Sequence, residues 1–426
     1  MTLLSHPTWR NLPLNFLFMK TNCYLLAMGS MLLGFNTHAQ TRLATGIQKP
    51  MPVAEWIDTD TGHKVVRLTP LDGANESFYF HNNPFLKGQG DSGDLMVYYH
   101  SSTAGKQLYT LNLKTHQTQP LTRTFAKVKG EIVGRKRREV YYQVQDTVYA
   151  TNVDSKKTRR VFVFPADFKA DITTLNADET QLGGAWGSDA EKEIYRQFPA
   201  KHDYFTRIYE AKLPRTLFMV NTDGKGELTK LFSDKAWLNH VQFSPTDPRC
   251  LMFCHEGPWE KVDRIWTIDT KTKAVKLIHK RTLDREIAGH EWFGADGKTI
   301  WFDHQKPRGE NFAVTGANLQ TGTETTYALK RDEWSVHYTS SADQKTFAGD
   351  GGYPTSVAKS SEGHWIYLFT PAGDHFNAEK LANLKTHGYA LEPNVHYSPD
   401  GKWLIFRANF EGQAQVYAVE IAKSES

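Results

Sequence analysis

Apolar and aromatic residues run in short bursts along this chain, each bounded by a polar or glycine-containing turn. Gly90-Asp-Ser-Gly-Asp94 precedes Leu95-Met-Val-Tyr-Tyr99, and Asn176-Ala-Asp-Glu-Thr180 precedes Gln181-Leu-Gly-Gly184. Ser244-Pro-Thr-Asp247 comes before Cys250-Leu-Met-Phe253, and Gly294-Ala-Asp-Gly297 before Thr299-Ile-Trp-Phe302. Ser398-Pro-Asp-Gly401 leads into Trp403-Leu-Ile-Phe406; Ser341-Ala-Asp-Gln344 and the weaker Gly134-Arg-Lys-Arg-Arg138 complete a set of seven. Most are followed by a second burst, such as Leu108-Tyr-Thr-Leu-Asn-Leu113 or Ile265-Trp-Thr-Ile-Asp269. Bursts this short, rich in β-branched and aromatic side chains, predict strands, because such side chains pack well on a pleated surface. The turns recur about every 40 to 65 residues, the length of a four-stranded propeller blade with loop insertions. The pattern predicts an all-β, seven-bladed β-propeller.

Closure of the ring is also legible. Lys64-Val-Val-Arg-Leu-Thr69 has the form of an outermost blade strand with no blade before it, and the last burst, Gln415–Ile421, lacks such a strand. Pairing the two closes the ring and removes an exposed edge. Residues 40–426 are therefore expected to form one domain. The longest insertion, residues 187–213, carries Lys192, Arg196, Lys201 and Lys212 and is expected to form a lid or rim over one face.

Residues 1–39 read as a cleavable signal peptide. The apolar run from Cys23 to Phe35 follows Lys20 and precedes Thr37-His38-Ala39, giving a basic start, a short apolar core and a small-residue cleavage site. The run is too short to span a bilayer, so a periplasmic or secreted protein without a stable membrane anchor is expected. Translation from Met19 would give a more ordinary leader. The net charge of +4 falls to about +2 without residues 1–39, too small to argue for nucleic acid. Arg135-Lys136-Arg137-Arg138 is expected to be a solvated turn. Cys250 and Cys254 lie four residues apart in one strand, roughly 13 Å, too far for a disulfide; both are expected to be free thiols.

In a propeller the first strand of each blade lines the central channel. Counting back four residues from successive blade turns gives His240, His290, His337 and Asn394. Imidazoles converging at a channel mouth suit a divalent metal or an anionic ligand. Backbone-bonded spacers are the alternative for any one of them alone. Phe253-Cys-His-Glu-Gly-Pro258 turns at Gly-Pro, which would leave His255 at the lip of the same funnel. Glu392-Pro-Asn-Val-His396 would point Glu392, Asn394 and His396 to one face if extended, half of a metal shell or simply an acidic turn.

These motifs resemble the oligogalacturonate lyases of polysaccharide lyase family twenty-two. The resemblance rests on Phe253–Pro258 with Val262-Asp-Arg264 and Trp266, on Ala288-Gly-His-Glu-Trp-Phe293, and on Trp237-Leu-Asn-His240, Gly349-Asp-Gly351 and Asn409-Phe-Glu-Gly412. It covers most of residues 40–426, strongly from Arg215 onward. It implies a seven-bladed propeller that uses a manganese-type ion and cleaves short oligogalacturonates by β-elimination. It further implies His255 as catalytic base, Arg215 as a carboxylate-neutralising cation and His290 as first metal ligand. The family completes its shell with two histidines and a glutamine; here those places hold Glu392, Asn394 and Tyr389. A harder, more oxygen-rich set suits manganese, calcium or magnesium, with His396 a substitute ligand. His240, His337 and Tyr389 are expected to bind substrate. Two other readings stay open: a lyase for a different uronic acid, and a non-catalytic binding propeller of the TolB type, which fold alone permits.

Overall fold

The computed structural model describes residues 54–69, 73–103, 105–124, 126–361 and 363–423. The signal-peptide segment expected over residues 1–39 lies outside them. Strands far outweigh helices among the described residues, and all belong to one compact unit, Gln48–Ser426. Their antiparallel sheets are chain-consecutive meanders: Val128–Gly134 to Thr158–Val163, Asp171–Leu175 to Leu228–Asp234, and Trp237–Phe243 to Val275–Leu277. An eight-stranded sheet over Ile287–Asn383 is two such meanders joined by one parallel pair, Ala328 with His375. The result is an all-β, propeller-like fold.

The N-terminal strand behaves as its sequence demands. Lys64–Arg67 pairs antiparallel with Gln415–Glu420, Val65 opposite Val419 and Arg67 opposite Tyr417. That pairing covers the open edge of the last sheet and leaves Glu55–Ile57 as the outer strand.

Core residues sit between neighbouring sheets. Val65, Ile366, Leu381, Phe406 and Val419 form one cluster across two sheets, and Ile132, Val161, Leu182 and Phe218 another. Middle strands are therefore buried on both faces and read as near-continuous apolar runs. Fully burying one such side chain contributes roughly 1.5–3 kcal/mol. Cys250 and Cys254 are free thiols on the strand Cys250–Glu256, Cys254 being buried.

The insertion folds into two helices, Asp189–Gln197 and Lys201–Ala211, which form a rim against the sheets. Phe205 packs edge-on against Trp237, ring centroids 5.1 Å apart. Tyr209 lies so close to Gly257 that a β-carbon there would sit 2.4 Å from its ring. The glycine of the Phe253–Pro258 motif thus admits the helix.

Candidate active site

Three of the four positions singled out by turn spacing carry a left-handed backbone. His240 has φ 45°, His290 φ 48° and Asn394 φ 53°. The strand Trp237–Phe243 shifts register between Asn239 and Gln242, and Ile287–Phe293 between Gly289 and Trp292. Such bulges re-aim a side chain out of the pleat. A left-handed residue with a β-carbon costs of order 1–3 kcal/mol and persists only where its surroundings hold it.

A buried ion cluster does the holding. Arg264, fully buried, donates to Glu256 Oε1 at 2.6 Å and to Glu291 Oε2 at 2.9 Å. Its guanidinium lies 5.0 Å from the Trp259 ring, and the Trp259 indole also donates to Glu256. Trp259 presses on Gly289, where a β-carbon would meet it at 2.5 Å, and its ring is 4.9 Å from that of His290. Glu256 Oε2 faces His240 Nε2 at 3.5 Å. Burial opposes ionisation of Glu256, but Arg264 and His240 outweigh it and hold the carboxyl well below its usual range.

Beyond this cluster the rings of His290 and His337 lie 4.9 Å apart. Asp350 accepts from both the amide and Nδ1 of His337, at 2.9 and 2.8 Å, which leaves Nε2 facing Glu392 Oε2 at 3.7 Å. His290 Nδ1 is buried with no hydrogen-bond partner among the described residues. Burial first, then His337, Arg264 and His240, hold its pKa well below the ordinary imidazole value.

The expected extended face of Glu392, Asn394 and His396 is not formed. The positive φ of Asn394 breaks it and turns the three side chains apart. Asn394 is fully buried; its Oδ1 accepts from the Phe80 amide at 3.0 Å and its Nδ2 donates to Glu392 O at 3.0 Å. His396 Nε2 donates to Asn82 O at 3.2 Å. Both residues hold the segment Phe78–Asn82, and neither faces His290. Phe80 fills the space beside His337, with centroids 4.9 Å apart. His81 is buried among His240, His337 and His396, and burial and those neighbours lower its pKa to about 3.

His240 opens on a cleft of about 930 Å³. Lys106, Lys127, Lys129, Lys169, Lys192 and Arg215 line it, six cations facing four carboxylates. Arg215 is fixed: it donates to Glu191 of the first rim helix through Nε (2.7 Å) and Nη2, and to Leu238 O at 2.7 Å. The insertion therefore builds one wall of the cleft and orients its arginine. His240 has a side chain 24% exposed.

His255 is not in the funnel. Strand alternation sends Glu256 towards His240 and His255 to the opposite face. There His255 stacks on Trp266, centroids 4.8 Å apart and rings inclined by 24°, and it does not line the cleft. Burial lowers its pKa against the pull of Asp234 and Asp263. Tyr389 does not line the cleft either; it packs on Tyr353 at 4.5 Å and His364 at 5.3 Å, with Asp350 and Glu392 close enough to act on its hydroxyl.

Of the remaining donors, the His290 and His337 rings are adjacent, His290 has an orphaned buried nitrogen, and Glu392 Oε2 lies 3.7 Å from His337 Nε2. Among the described residues these three do not bring their ligand atoms within 4.8 Å of one another, as His279, Glu286 and His304 do. Sequence reasoning missed Glu256, Arg264, Glu291, Asp350 and the Tyr79-Phe80-His81 stretch. The first three stand inside or beside the quoted motifs, and a buried charge triad was recoverable from their spacing only with a partner strand in hand.

A family model described as oligogalacturonate lyase matches residues 43–425. The oligogalacturonate lyase of Dickeya dadantii is 24% identical over 408 residues, covering 90% of this chain and 99% of that protein. The oligogalacturonide lyase of Pectobacterium atrosepticum is 23% identical over 412 residues, with the same coverage of each. A solved oligogalacturonate lyase in complex with manganese superimposes with a TM-score of 0.76 at 21% identity, covering 88% of this chain and 98% of that one. A second, from Vibrio parahaemolyticus, gives 0.76 at 22%, covering 89% and 99%. Both share the fold described above. On the family match across almost the whole described chain, this protein belongs to the oligogalacturonate lyase family.

Proposed function

We propose that the protein cleaves short uronate oligosaccharides, galacturonate chains first, by β-elimination in the cleft beside His240. The carrying observation is a partly exposed imidazole opening on a cation-rich cleft, next to an arginine fixed in place. Family membership supports lyase chemistry, and a polyanionic substrate matches the excess of cations over carboxylates in the wall.

Elimination removes the proton from C5 and expels the oxygen from C4. The first step is hard because charge builds beside a carboxylate that is already negative. His290, His337 and Glu392 would be the groups to hold a divalent ion (manganese before calcium or magnesium), which would supply neutralising charge to that carboxylate. Arg215, paired with Glu191, would add fixed guanidinium N–H donors at the wall. Glu256, 3.5 Å from His240 Nε2, orients the ring so that Nδ1 takes the C5 proton. The C–H electron pair becomes the C4–C5 double bond, the C4–O bond breaks, and the departing oxygen takes a proton from solvent. This reading moves the base from His255 to His240.

The same reading carries two structural proposals. We take the meanders as seven blades of a propeller closed by Lys64–Arg67, and the chain as exported after cleavage behind Ala39. The test of function is ultraviolet absorbance of unsaturated product from digalacturonate and trigalacturonate, with and without a chelator. A rise that the chelator stops supports the reading. A rise only with other uronate oligosaccharides moves the substrate, and silence on all of them points to a binding propeller.

A further inference from the structure

Away from the channel, a second group of imidazoles converges on one carboxylate. His279 follows the outer strand Val275–Leu277 of one sheet, His304 lies on Thr299–Gln305 of the next, and Glu286 stands just before Ile287–Phe293. One ligand atom from each lies within 4.8 Å of the others, and all three residues are buried. None lines the cleft.

The hydrogen bonding aims one ligand atom of each residue inward, where His304 Nε2 donates to Glu286 Oε1. Glu286 Oε2 accepts from the amides of Thr282 and Leu283, at 2.6 and 2.9 Å, and so clamps the loop before it. Its Oε1 points the other way, 2.9 Å from His304 Nε2 and 3.3 Å from His279 Nε2. Each imidazole is held from behind: His279 Nδ1 by Glu324 Oε1 at 2.7 Å, and His304 Nδ1 by Thr315 Oγ1 at 2.9 Å. Carboxylate and hydroxyl partners behind ligating histidines fix the ring and the tautomer in metal sites.

His279 supplies the second observation. A carboxylate only accepts, so Nδ1 carries a proton towards Glu324. Nε2 is buried with no hydrogen-bond partner among the described residues, and it faces an oxygen lone pair of Glu286. In a singly protonated ring two lone pairs oppose each other there; a second ring proton or a metal cation between them removes the conflict. The 3.3 Å separation also matches the edge of a tetrahedron with metal–nitrogen bonds of about 2.0–2.1 Å. Lys306 Nζ, 3.7 Å from Glu286 Oε1, is the competing cation, but its side chain is 41% exposed and free to turn outward.

We propose that His279, Glu286 and His304 form a second divalent-metal site, separate from the channel and of the zinc class, which ties two neighbouring sheets together. Two imidazoles and a carboxylate, with a fourth position towards Lys306, suit zinc better than the harder ions. Its role is structural: it pins the loop that leads into the strand bearing His290.

The test uses the full chain, stripped with chelator and then titrated with zinc or with cobalt(II) as a visible reporter. Wild type should take up cobalt with the intense visible bands of a tetrahedral site, and zinc should raise its Tm by several degrees. His279→Gln and His304→Gln should each lose one equivalent of cobalt and those bands, whereas His290→Ala should keep them. If the channel holds no metal, wild type binds one equivalent and the two glutamine variants none, so the two proposals fail separately. Unchanged stoichiometry and spectrum in folded His279→Gln and His304→Gln would overturn the inference. Where the variants do not fold, a wild type whose Tm ignores zinc and whose cobalt complex lacks those bands would overturn it equally.

Discussion

Two histidine clusters in one chain are built in opposite ways. Around the cleft, His240 and His290 sit on bulges with left-handed backbone beside a buried guanidinium held between two carboxylates, and His240 lines the cationic cleft. Between two outer sheets, His304 sits on a regular strand and converges with His279 on Glu286, with no cleft beside them. Strained, supported and accessible side chains belong to turnover, since strain persists only where surroundings over-determine it. Unstrained, buried and convergent ones belong to the scaffold. Histidine content alone does not separate the two; backbone geometry and access do.

Acid should strain the channel most. Burial holds His81 near pKa 3, and His364 and His396 near 4, against an unfolded value of 6.5, helped by imidazole neighbours at His81 and His364 and by Arg407 at His396. A folded pKa below the unfolded one means that the unfolded chain binds more protons. Stability is then complete above pH 6.5 and falls as pH drops through 6.5 towards 4. Each group contributes about 1.4 kcal/mol per pH unit in that window. Urea unfolding from pH 7 to 4.5 should show this slope, and His81→Asn should flatten it by one group. A flat profile would mean that the channel imidazoles are not buried neutral.

Next in size is Arg264→Met, which leaves Glu256 and Glu291 buried without their cation. Breaking such a pair costs about 3–5 kcal/mol, and urea midpoints would measure it. Activity should fall further than stability explains, because His240 and His290 lean on the same cluster. Wild-type turnover in a folded Arg264→Met protein would dissolve the claimed dependence of the site on that support.

Gly257→Ala should have the smallest effect. Its β-carbon would displace Tyr209 and with it the second rim helix, at about 1–3 kcal/mol. The fold should survive while KM rises through the moved wall. An unchanged KM would separate the rim from the cleft.

Much of this was legible in the sequence. Turn-then-burst spacing gave the strands, and the unpaired Lys64–Thr69 burst found its partner in Gln415–Glu420 as edge avoidance requires. Counting back from the turns aligned His240, His290, His337 and Asn394, and at the first two a bulge recurs at one position of two inner strands. The errors lay where local pattern meets tertiary geometry. Asn394 was read as extended, and its positive φ separates Glu392 from His396. His255 was taken for the funnel residue, whereas strand alternation gives that place to Glu256. The outer cluster escaped because His279, Glu286 and His304 meet only across two sheets.

The most direct test of the account compares His240→Ala with His255→Ala in the ultraviolet assay on trigalacturonate, with fold and metal content checked in both. His240→Ala should lower kcat by about 10²–10⁴-fold at unchanged metal content, while His255→Ala stays within a few-fold of wild type. Full activity in His240→Ala, with loss in His255→Ala, would contradict it and place the base on the Trp266 face.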